Sequence, residues 1–156
     1  MPLAVSAAII LHNGLYLAAR RAPGKSSEGL WEFPGGKIEL GETAEAALVR
    51  EIREELALDI LLGDAVGVFT TEVSGTLIQL HCFYSYPIPT KQSPFTTTMA
   101  FETDHGAGTA TLQGGQLPSL TLNDHSEIKW CELSELKDLN WAPADIPVIE
   151  WLMQLS

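Results

Sequence analysis

Three glutamates in one short stretch are the residues best suited to chemistry in this 156-residue chain. Side chains three and four positions apart share a helix face, so Glu51, Glu54 and Glu55 would fall within an arc of roughly 100°. Each like-charge pair at these spacings costs about 0.2–0.5 kcal/mol in an isolated helix. A hard cation between the carboxylates reverses that cost, and Mg²⁺ and Mn²⁺ prefer oxygen ligands. The spacing therefore indicates a divalent-metal site, with a solvated, salt-bridged helix face as the alternative.

A helix and a glycine-rich loop must position these glutamates. The stretch 43–56 contains no Gly or Pro and begins with Thr43, a favourable N-cap, so we predict a helix there. Gly35 and Gly36 allow the backbone to approach a ligand closely, and Gly41 permits another tight turn. The helical residues predicted to face the core are Val49, Ile52 and Leu56. Three carboxylates would then line the edge of a buried face.

The rest of the chain alternates between strand-like runs and turn signals. We predict strands at 5–11, 15–20, 30–33, 65–72, 76–86 and 127–131, a helical turn at 133–136 and a last helix at 146–155. Tight turns at Asn13-Gly14 and Ser74-Gly75 would join the first two strands and the strands at 65–72 and 76–86. Residues 87–123 are rich in Thr, Gly, Pro and Ser, and we interpret them as a long, mobile loop or insertion with a small hairpin near 107–112. Strands mixed with two main helices predict an α/β (α+β) fold in a single domain, 1–156.

The composition excludes some partners. Nine Lys and Arg against 20 Asp and Glu give a formal net charge of −11, whereas a protein that binds a DNA or RNA backbone usually presents a basic face. An acidic protein can still bind a small polyphosphate when a cation bridges the two. No apolar run approaches the roughly 20 residues of a membrane-spanning helix, and we predict a cytoplasmic protein. Cys82 and Cys131 lie in apolar, strand-like runs, which predicts two buried, reduced thiols.

The spacing around the glutamates resembles the signature of a known family. Gly36 is followed after five residues by Glu42, and after seven more by REIREELAL at 50–58, which is similar to the Nudix box. One position departs, because Ala57 stands where the family usually has a helix-ending glycine. Further segments resemble MutT-like members, with most likeness to the subgroup of CTP pyrophosphohydrolases and oxidised-nucleotide diphosphatases. These segments are LWEFPGGK at 30–37, VSG at 73–75, DHSEIKW at 124–130 and WAPADIP at 141–147.

This resemblance implies a fold and a reaction. The fold would be the Nudix α/β/α sandwich with a mixed β-sheet. The reaction would be Mg²⁺-dependent hydrolysis of (deoxy)nucleoside triphosphates to nucleoside monophosphate and pyrophosphate, with Mn²⁺ as the alternative metal. Modified or oxidised nucleotides are among the candidate substrates, in a housecleaning role that sanitises the nucleotide pool. Bound cations would neutralise phosphate oxygens and lower the pKa of a water.

The resemblance also implies roles for particular residues. The metal ligands would be Glu51, Glu54, Glu55 and the backbone carbonyl of Gly35. Catalysis would depend on Glu54, Glu55 and Asp124. Substrate binding would involve Arg21, Phe33, Lys37 and Asp145, with Arg21 and Lys37 near the phosphates. Arg50 would orient the helix glutamates rather than touch the substrate.

Several of these roles have alternatives. Lys37 would otherwise pair with a carboxylate of the helix. Glu127 is the alternative to Asp124, whose side chain is one methylene shorter than the glutamate usual in the family. Phe33 would either stack on a base or pack in the core. We interpret His125 as a surface or loop histidine rather than a catalytic one.

The resemblance further implies that Asp145 reads the base, because MutT-like members use this position to contact it. An ionised aspartate only accepts hydrogen bonds, so it suits an amino edge such as cytosine N4. We therefore favour a cytosine-type triphosphate slightly over an oxidised purine. The alternative role for Asp145 is an N-cap at the start of the last helix.

Two other functions are carried as alternatives. One is a nucleotide-sugar or dinucleotide pyrophosphatase, for which the sequence shows no signature. The other is a non-catalytic Nudix binding module, which losses in the glutamate cluster would indicate, but all three glutamates are present. The partner expected from the sequence is a small-molecule nucleotide, with no nucleic-acid polymer and no membrane, and the protein would be a monomer or homodimer.

Overall fold

The computed structural model of the protein describes residues 2–25, 27–89, 98–103, 106–111 and 120–155. The strands are β1 (Leu3–His12), β2 (Leu15–Arg21), β3 (Trp31–Glu32), β4 (Gly35–Lys37), β5 (Ile60–Val73), β6 (Thr76–Pro87), β7 (Thr98–Thr103), β8 (Gly106–Thr111) and β9 (His125–Cys131). The helices are α1 (Ala44–Leu56), α2 (Leu133–Leu136) and α3 (Ile146–Leu155), with a 3-10 turn, Pro143–Asp145, before α3. The main sheet runs β3-β2-β1-β6-β5, with β4 on β1 and β9 on β2. It is mixed, because β1 pairs with β6 in parallel and with β2 and β4 antiparallel.

Tight turns of two residues join neighbouring strands. Asn13 and Gly14 connect β1 to β2, and Ser74 and Gly75 connect β5 to β6, all four with positive φ. Paired positive φ values give a turn whose twist matches that of the two strands. Both hairpins were predicted from the sequence, although β5 begins at Ile60, earlier than expected.

The sheet forks where β1 and β2 diverge beyond their hairpin. One edge of β1 is shared, because β2 pairs with Leu11 and His12 whereas β4 pairs along residues 5–7. β3 pairs with β2 instead, at Ala19 and Arg20. Residues 31–37 therefore cross from one arm of the fork to the other, and the space between the arms opens a cleft.

Helices cover both faces of the sheet. Side chains of successive strand residues point to opposite faces. Ala7 and Ile9 of β1 pack with buried residues of α2 and α3, which are Leu136, Val148, Ile149 and Leu152. Ala8 and Ile10 pack instead with buried residues of α1, which are Leu48, Ile52 and Leu56. The predicted sandwich of a mixed sheet between helices is confirmed, and Cys82 and Cys131 are buried and free, as predicted.

Helix α1 has the predicted length and a slightly different buried face. Thr43 caps it, its side chain accepting a hydrogen bond from the Ala46 N–H at 3.1 Å. The fully buried positions are Ala47, Leu48, Ile52 and Leu56. Val49 is partly buried and packs against the same cluster, at its edge rather than its centre. Glu51 lies beside Ile52 at the rim of this face.

Much of the predicted long loop lies outside the described residues, which omit 90–97, 104–105 and 112–119. Within it, β7 and β8 form an antiparallel two-stranded sheet, so a hairpin is present and its second strand overlaps the predicted position. The prediction of mobility is not tested. In the described part of the chain, no helix is both long and apolar enough to span a membrane.

Candidate active site

The cleft at the fork has a volume of about 530 Å³. One group of lining residues is charged and includes Arg21, Glu32, Glu51 and Glu55. A second group is apolar apart from the Asp145 carboxyl and comes from β1, the end of β5, β6 and the segment 142–145. Its members are Leu3, Val5, Val73, Ile78, Leu80, Ala142 and Asp145. The cleft thus offers both a charged and a largely apolar lining to one ligand.

Arg50 organises the carboxylates of α1. It forms two hydrogen bonds to Glu42, at 2.7 and 2.8 Å, and its Nη1 donates to Glu51 at 3.0 Å and to Glu54 at 3.2 Å. Its Nη2 also donates to the backbone carbonyl of Lys37 at 3.2 Å. The bond from Arg50 lowers the pKa of Glu42 to about 2. Arg50 therefore joins α1 to the segment after β4 and holds two of the three predicted ligands, as an orienting residue would.

Glu55 has the most unusual carboxyl group of the cleft. Its Oε2 is buried and has no hydrogen-bond partner among the described residues. Burial, first, and the nearby carboxylates of Glu32, Glu51 and Asp124 raise the pKa of Glu55 to about 8, while Arg21 acts in the opposite direction. Burying an unpaired carboxylate is costly. This oxygen is therefore suited to contact a bound ligand, which would supply the missing partner.

Gly35 and Gly36 bring β4 unusually close to its neighbours. A Cβ on Gly35 would overlap the backbone carbonyl of Ser6, and one on Gly36 would overlap the Glu51 carboxylate. Neither glycine has positive φ, so the close approach, rather than a turn, requires glycine here. Pro34 O accepts from Ala8 N–H and Ile38 N–H donates to Ala4 O.

The same pairing directs the Gly35 carbonyl. Hydrogen-bonded positions alternate along an antiparallel pair. Since the carbonyl of Pro34 is bonded to β1, the carbonyl of Gly35 points away from β1. The carbonyl of Lys37, two residues on, also points away and meets Arg50 of α1. The predicted ligand at Gly35 therefore has its backbone oxygen available on the α1 side.

A partly buried cluster of polar side chains links β2, β3 and β9. Arg21 donates to Glu32 Oε1 at 2.8 Å, and His125 Nε2 lies 2.8 Å from Glu32 Oε2. The side chain of His125 is 1% exposed. The interpretation of His125 as a surface or loop histidine was therefore wrong, because β9 begins at that residue and turns it inward.

Asp145 lies at the floor of the cleft and joins it to β3. Its Oδ1 accepts the backbone N–H of Phe33 at 3.0 Å. Burial, first, and the Glu32 carboxylate raise the pKa of Asp145 well above its usual range, against the opposing effect of the Phe33 N–H. The ring of Phe33 is 3% exposed and packs on Trp141 with centroids 4.8 Å apart. The described contacts therefore favour core packing for Phe33, although it also borders the cleft.

Of the remaining predicted residues, Lys37 lines the cleft, whereas Asp124 and Glu127 are not among its lining residues. Lys37 is exposed and borders the cleft, and no described carboxylate pairs with its side chain. Asp124 precedes β9 and forms an ion pair with Lys25 at 3.2 Å. Glu127, the alternative to Asp124, is paired with Arg20 at 3.0 Å. Asp124 is the one of the two that acts on Glu55 electrostatically, which favours it over Glu127.

The donor groups fit a hard divalent cation that arrives with phosphates. Within the described ranges, no three His, Cys, Asp or Glu side chains converge as a complete metal site. Arg50 accounts for this, because it draws Glu51 and Glu54 to itself. Mg²⁺ typically takes only one or two protein carboxylates and completes its shell with waters and substrate phosphates. Glu51, Glu55 and the Gly35 carbonyl meet that requirement.

Comparison with known proteins agrees with this geometry. The model of the NUDIX domain matches residues 2–152. The chain belongs to the Nudix family. It is 37% identical over 151 residues to the CTP pyrophosphohydrolase of Escherichia coli K12, covering 97% of this chain and 91% of that protein. It is 47% identical over 47 residues to the 8-oxo-dGTP diphosphatase of the same organism, covering 30% of this chain and 36% of that one.

A solved structure is similar over nearly the same extent. The solution structure of the E. coli ORF135 protein superposes with a TM-score of 0.69 at 35% identity, covering 98% of this chain and 89% of that one. The predicted family and the mixed sheet with helices are thus confirmed, and the chain is a Nudix hydrolase. Members of this family generally use divalent metal ions.

Sequence reasoning missed one residue of the site, Glu32, and placed another, His125, at the surface. They lie 93 positions apart, so no local spacing rule connects them. One signal was available for each. Glu32 is part of the LWEFPGGK segment, and His125 directly follows Asp124.

Proposed function

We propose that this Nudix hydrolase converts (deoxy)nucleoside triphosphates, normal or oxidised, to a nucleoside monophosphate and pyrophosphate with Mg²⁺ or Mn²⁺. The observation that carries the proposal is that carboxylates and Arg21 line the same cleft as apolar residues and Asp145. The charged lining suits a metal-bound triphosphate, and the apolar lining suits a base. The two E. coli relatives named above, which act on CTP and on 8-oxo-dGTP by their names, support this substrate class.

The proposed chemistry divides the charged residues by role. A divalent cation would be held by Glu51, Glu54, Glu55 and the Gly35 carbonyl. The cation would neutralise phosphate oxygens and lower the pKa of a bound water. Arg21 and Lys37 would bind phosphate oxygens. A water attacks phosphorus, the bond to the pyrophosphate oxygen breaks, and the proton lost by the water passes to a carboxylate. Glu55, with an unpaired buried oxygen, and Asp124 are the candidates for that proton acceptor.

Asp145 is proposed to read the base through its second oxygen. Oδ1 is already bonded to Phe33, and no described group bonds to Oδ2. An ionised Oδ2 accepts from an amino group such as cytosine N4. Because burial raises the pKa of Asp145, the protonated form is also relevant, and it would donate to a ring nitrogen. Both forms suit a base with adjacent donor and acceptor groups, as cytosine has at N4 and N3.

A substrate panel tests the proposal. CTP, dCTP and 8-oxo-dGTP would be compared with ADP-ribose, a nucleotide sugar and a dinucleoside polyphosphate, each with Mg²⁺ or Mn²⁺. We expect a triphosphate to give the highest kcat/KM and to release pyrophosphate rather than phosphate. Turnover of only the nucleotide sugar or dinucleotide would replace the proposed substrate class. Binding of nucleotides without any turnover would indicate a binding module.

A further inference from the structure

His125 is an unusual residue for the interior of this protein. Its ring is almost wholly buried, yet within the described structure it has one polar contact, from Nε2 to Glu32, and its Nδ1 has no hydrogen-bond partner. Burying a polar ring costs free energy that an apolar side chain of the same size would avoid. The contact with Glu32 is therefore the feature that the histidine provides and a phenylalanine would not.

The strand pairing brings His125 opposite Arg21. Arg20 pairs with Glu127, whereas Arg21 pairs with His125, so β9 has one extra residue, Ser126, at this point. Such a bulge re-aims a side chain. Without it, Ser126 would lie opposite Arg21. Directly opposed residues of an antiparallel pair project to the same face with Cβ atoms about 5 Å apart, which explains why both side chains reach Glu32.

Glu32 is fully engaged by these two residues. Its Oε1 accepts from Arg21 and its Oε2 from His125, both at 2.8 Å. A carboxylate bonded through both oxygens has a fixed plane, and a guanidinium bonded to it is fixed in turn. Arg21 and Glu32 line the cleft. The buried Nε2–H of His125 supports the pair from behind.

We propose that His125 is a positioning residue that holds Glu32 so that Glu32 holds Arg21 in place for phosphate binding. This inference rests on the proposed function only in taking Arg21 as a phosphate ligand. The planar guanidinium binds phosphate in a defined orientation, so loss of that orientation weakens binding more than it changes the chemical step. Loss of the Nε2–H should therefore raise KM more than it lowers kcat.

Three substitutions separate positioning from packing. His125→Phe keeps the volume and removes the donor. His125→Gln keeps an amide donor near the place of Nε2, whereas His125→Asn keeps one near the place of Nδ1, too short to reach Glu32. The measurements are KM and kcat for CTP, and the Kd of Mn²⁺–pyrophosphate by calorimetry. We expect Phe and Asn to raise both KM and Kd about tenfold with kcat within threefold of wild type, and Gln to stay within threefold throughout.

A double-mutant comparison tests whether His125 acts through Arg21. Arg21→Gln should itself weaken pyrophosphate binding. In the Arg21→Gln background, His125→Asn should change the Kd of Mn²⁺–pyrophosphate by less than twofold. The matched control is His12→Phe, which removes another buried histidine. His12 lies about 20 Å along β1 from Ser6, which lines the cleft, at 3.3 Å per residue. His12→Phe should leave the pyrophosphate Kd unchanged.

The outcomes separate this inference from the proposed function. If Arg21→Gln weakens pyrophosphate binding but His125→Asn does not, His125 does not position Arg21, and the role of Arg21 in phosphate binding stands. Additive losses in the double variant would equally exclude action through Arg21. If Arg21→Gln leaves Kd unchanged, both ideas fall. Should the Phe variant not fold, the Asn and Gln pair decides by itself, since equal Kd values for those two would overturn the inference.

Discussion

At the scale of single residues, the carboxylates of α1 differ sharply in their surroundings. Glu54 is 60% exposed and bonded to Arg50, whereas Glu51 is 16% exposed against Gly36. If Glu54 only formed a salt bridge with Arg50, the activity would not depend on it. If Glu54 is a metal ligand, as proposed, the activity requires it. The helix predicted from the sequence carries all three glutamates, but Glu51 and Glu55 line the cleft whereas Glu54 is not among its lining residues.

Replacing Glu54 with glutamine should remove most of the activity and leave the fold intact. Gln keeps the volume and loses the charge that a cation needs, so kcat should fall by at least ~10²-fold, the scale of one strong electrostatic contact in a transition state. Circular dichroism should be unchanged. Glu45→Gln, which changes the same charge in the first turn of α1, should retain full activity. A Glu54→Gln variant within threefold of wild type would contradict the assignment.

Asparagine at position 145 should weaken discrimination between bases. Asn keeps an oxygen for the Phe33 N–H but replaces the second oxygen with an amide donor. The ratio of kcat/KM values among CTP, dCTP and 8-oxo-dGTP should change by ~1–3 kcal/mol, the scale of one good base contact. The measurement is the same triphosphate panel on both proteins. If stability falls while the ranking stays as in wild type, Asp145 only ties the 3-10 turn to β3.

At the scale of elements, the end of α1 combines a left-handed backbone with a residue that disfavours it. Ala57 has φ 53 and ψ 38, and its N–H bonds to the Arg53 carbonyl. The helix predicted over 43–56 does end at Leu56, although Ala57 stands where the family usually has a helix-ending glycine. The left-handed conformation costs an L-residue roughly 1–2 kcal/mol, which glycine avoids.

Ala57→Gly should therefore stabilise the protein by about 0.5–1 kcal/mol, after the greater unfolded-state freedom of glycine is subtracted. Urea unfolding monitored by circular dichroism measures the change. The matched control is Ala46→Gly, at an exposed helical position of α1, which should destabilise by about 1 kcal/mol. Equal destabilisation by both substitutions would show that the left-handed cap carries no strain.

At the scale of the whole molecule, buried carboxyl groups should make stability depend on pH. The pKa of Glu55 is about 8 in the folded protein, against 4.5 as its ordinary value. Between these values the folded state binds more protons than the unfolded state, so stability falls as pH rises. The metal-free protein should thus melt at a higher temperature at pH 5.5 than at pH 8. Each fully titrated pH unit contributes at most ~1.4 kcal/mol.

Glu55→Gln should flatten this dependence, because it removes the titrating group. The slope should not vanish, since burial also raises the pKa of Asp145. Melting curves in EDTA from pH 5 to 8.5 give the comparison, with the exposed Glu54→Gln as a control that keeps the wild-type slope. An unchanged slope in Glu55→Gln would mean that Glu55 is ionised throughout this range.

The sequence by itself determined the elements whose signals are local. Thr43 capped α1 as predicted, Asn13-Gly14 and Ser74-Gly75 formed their turns, and 133–136 and 146–155 were helical. Backbone propensities and side-chain periodicity act over a few residues, so these features can be read from neighbours in the chain. The family was also identifiable from the sequence, because its signature is carried by identities within one loop and one helix.

Only the tertiary structure decided which groups share the cleft and which are buried. His125 was expected at the surface, yet it lies behind Glu32, 93 positions away in the chain. Phe33 was expected either to stack on a base or to pack in the core, and its ring is 3% exposed beside Trp141. The pairing of β9 with β2, including its bulge, and the fork between β1 and β2 set these contacts. Burial and long-range register depend on the whole sheet, which no local pattern encodes.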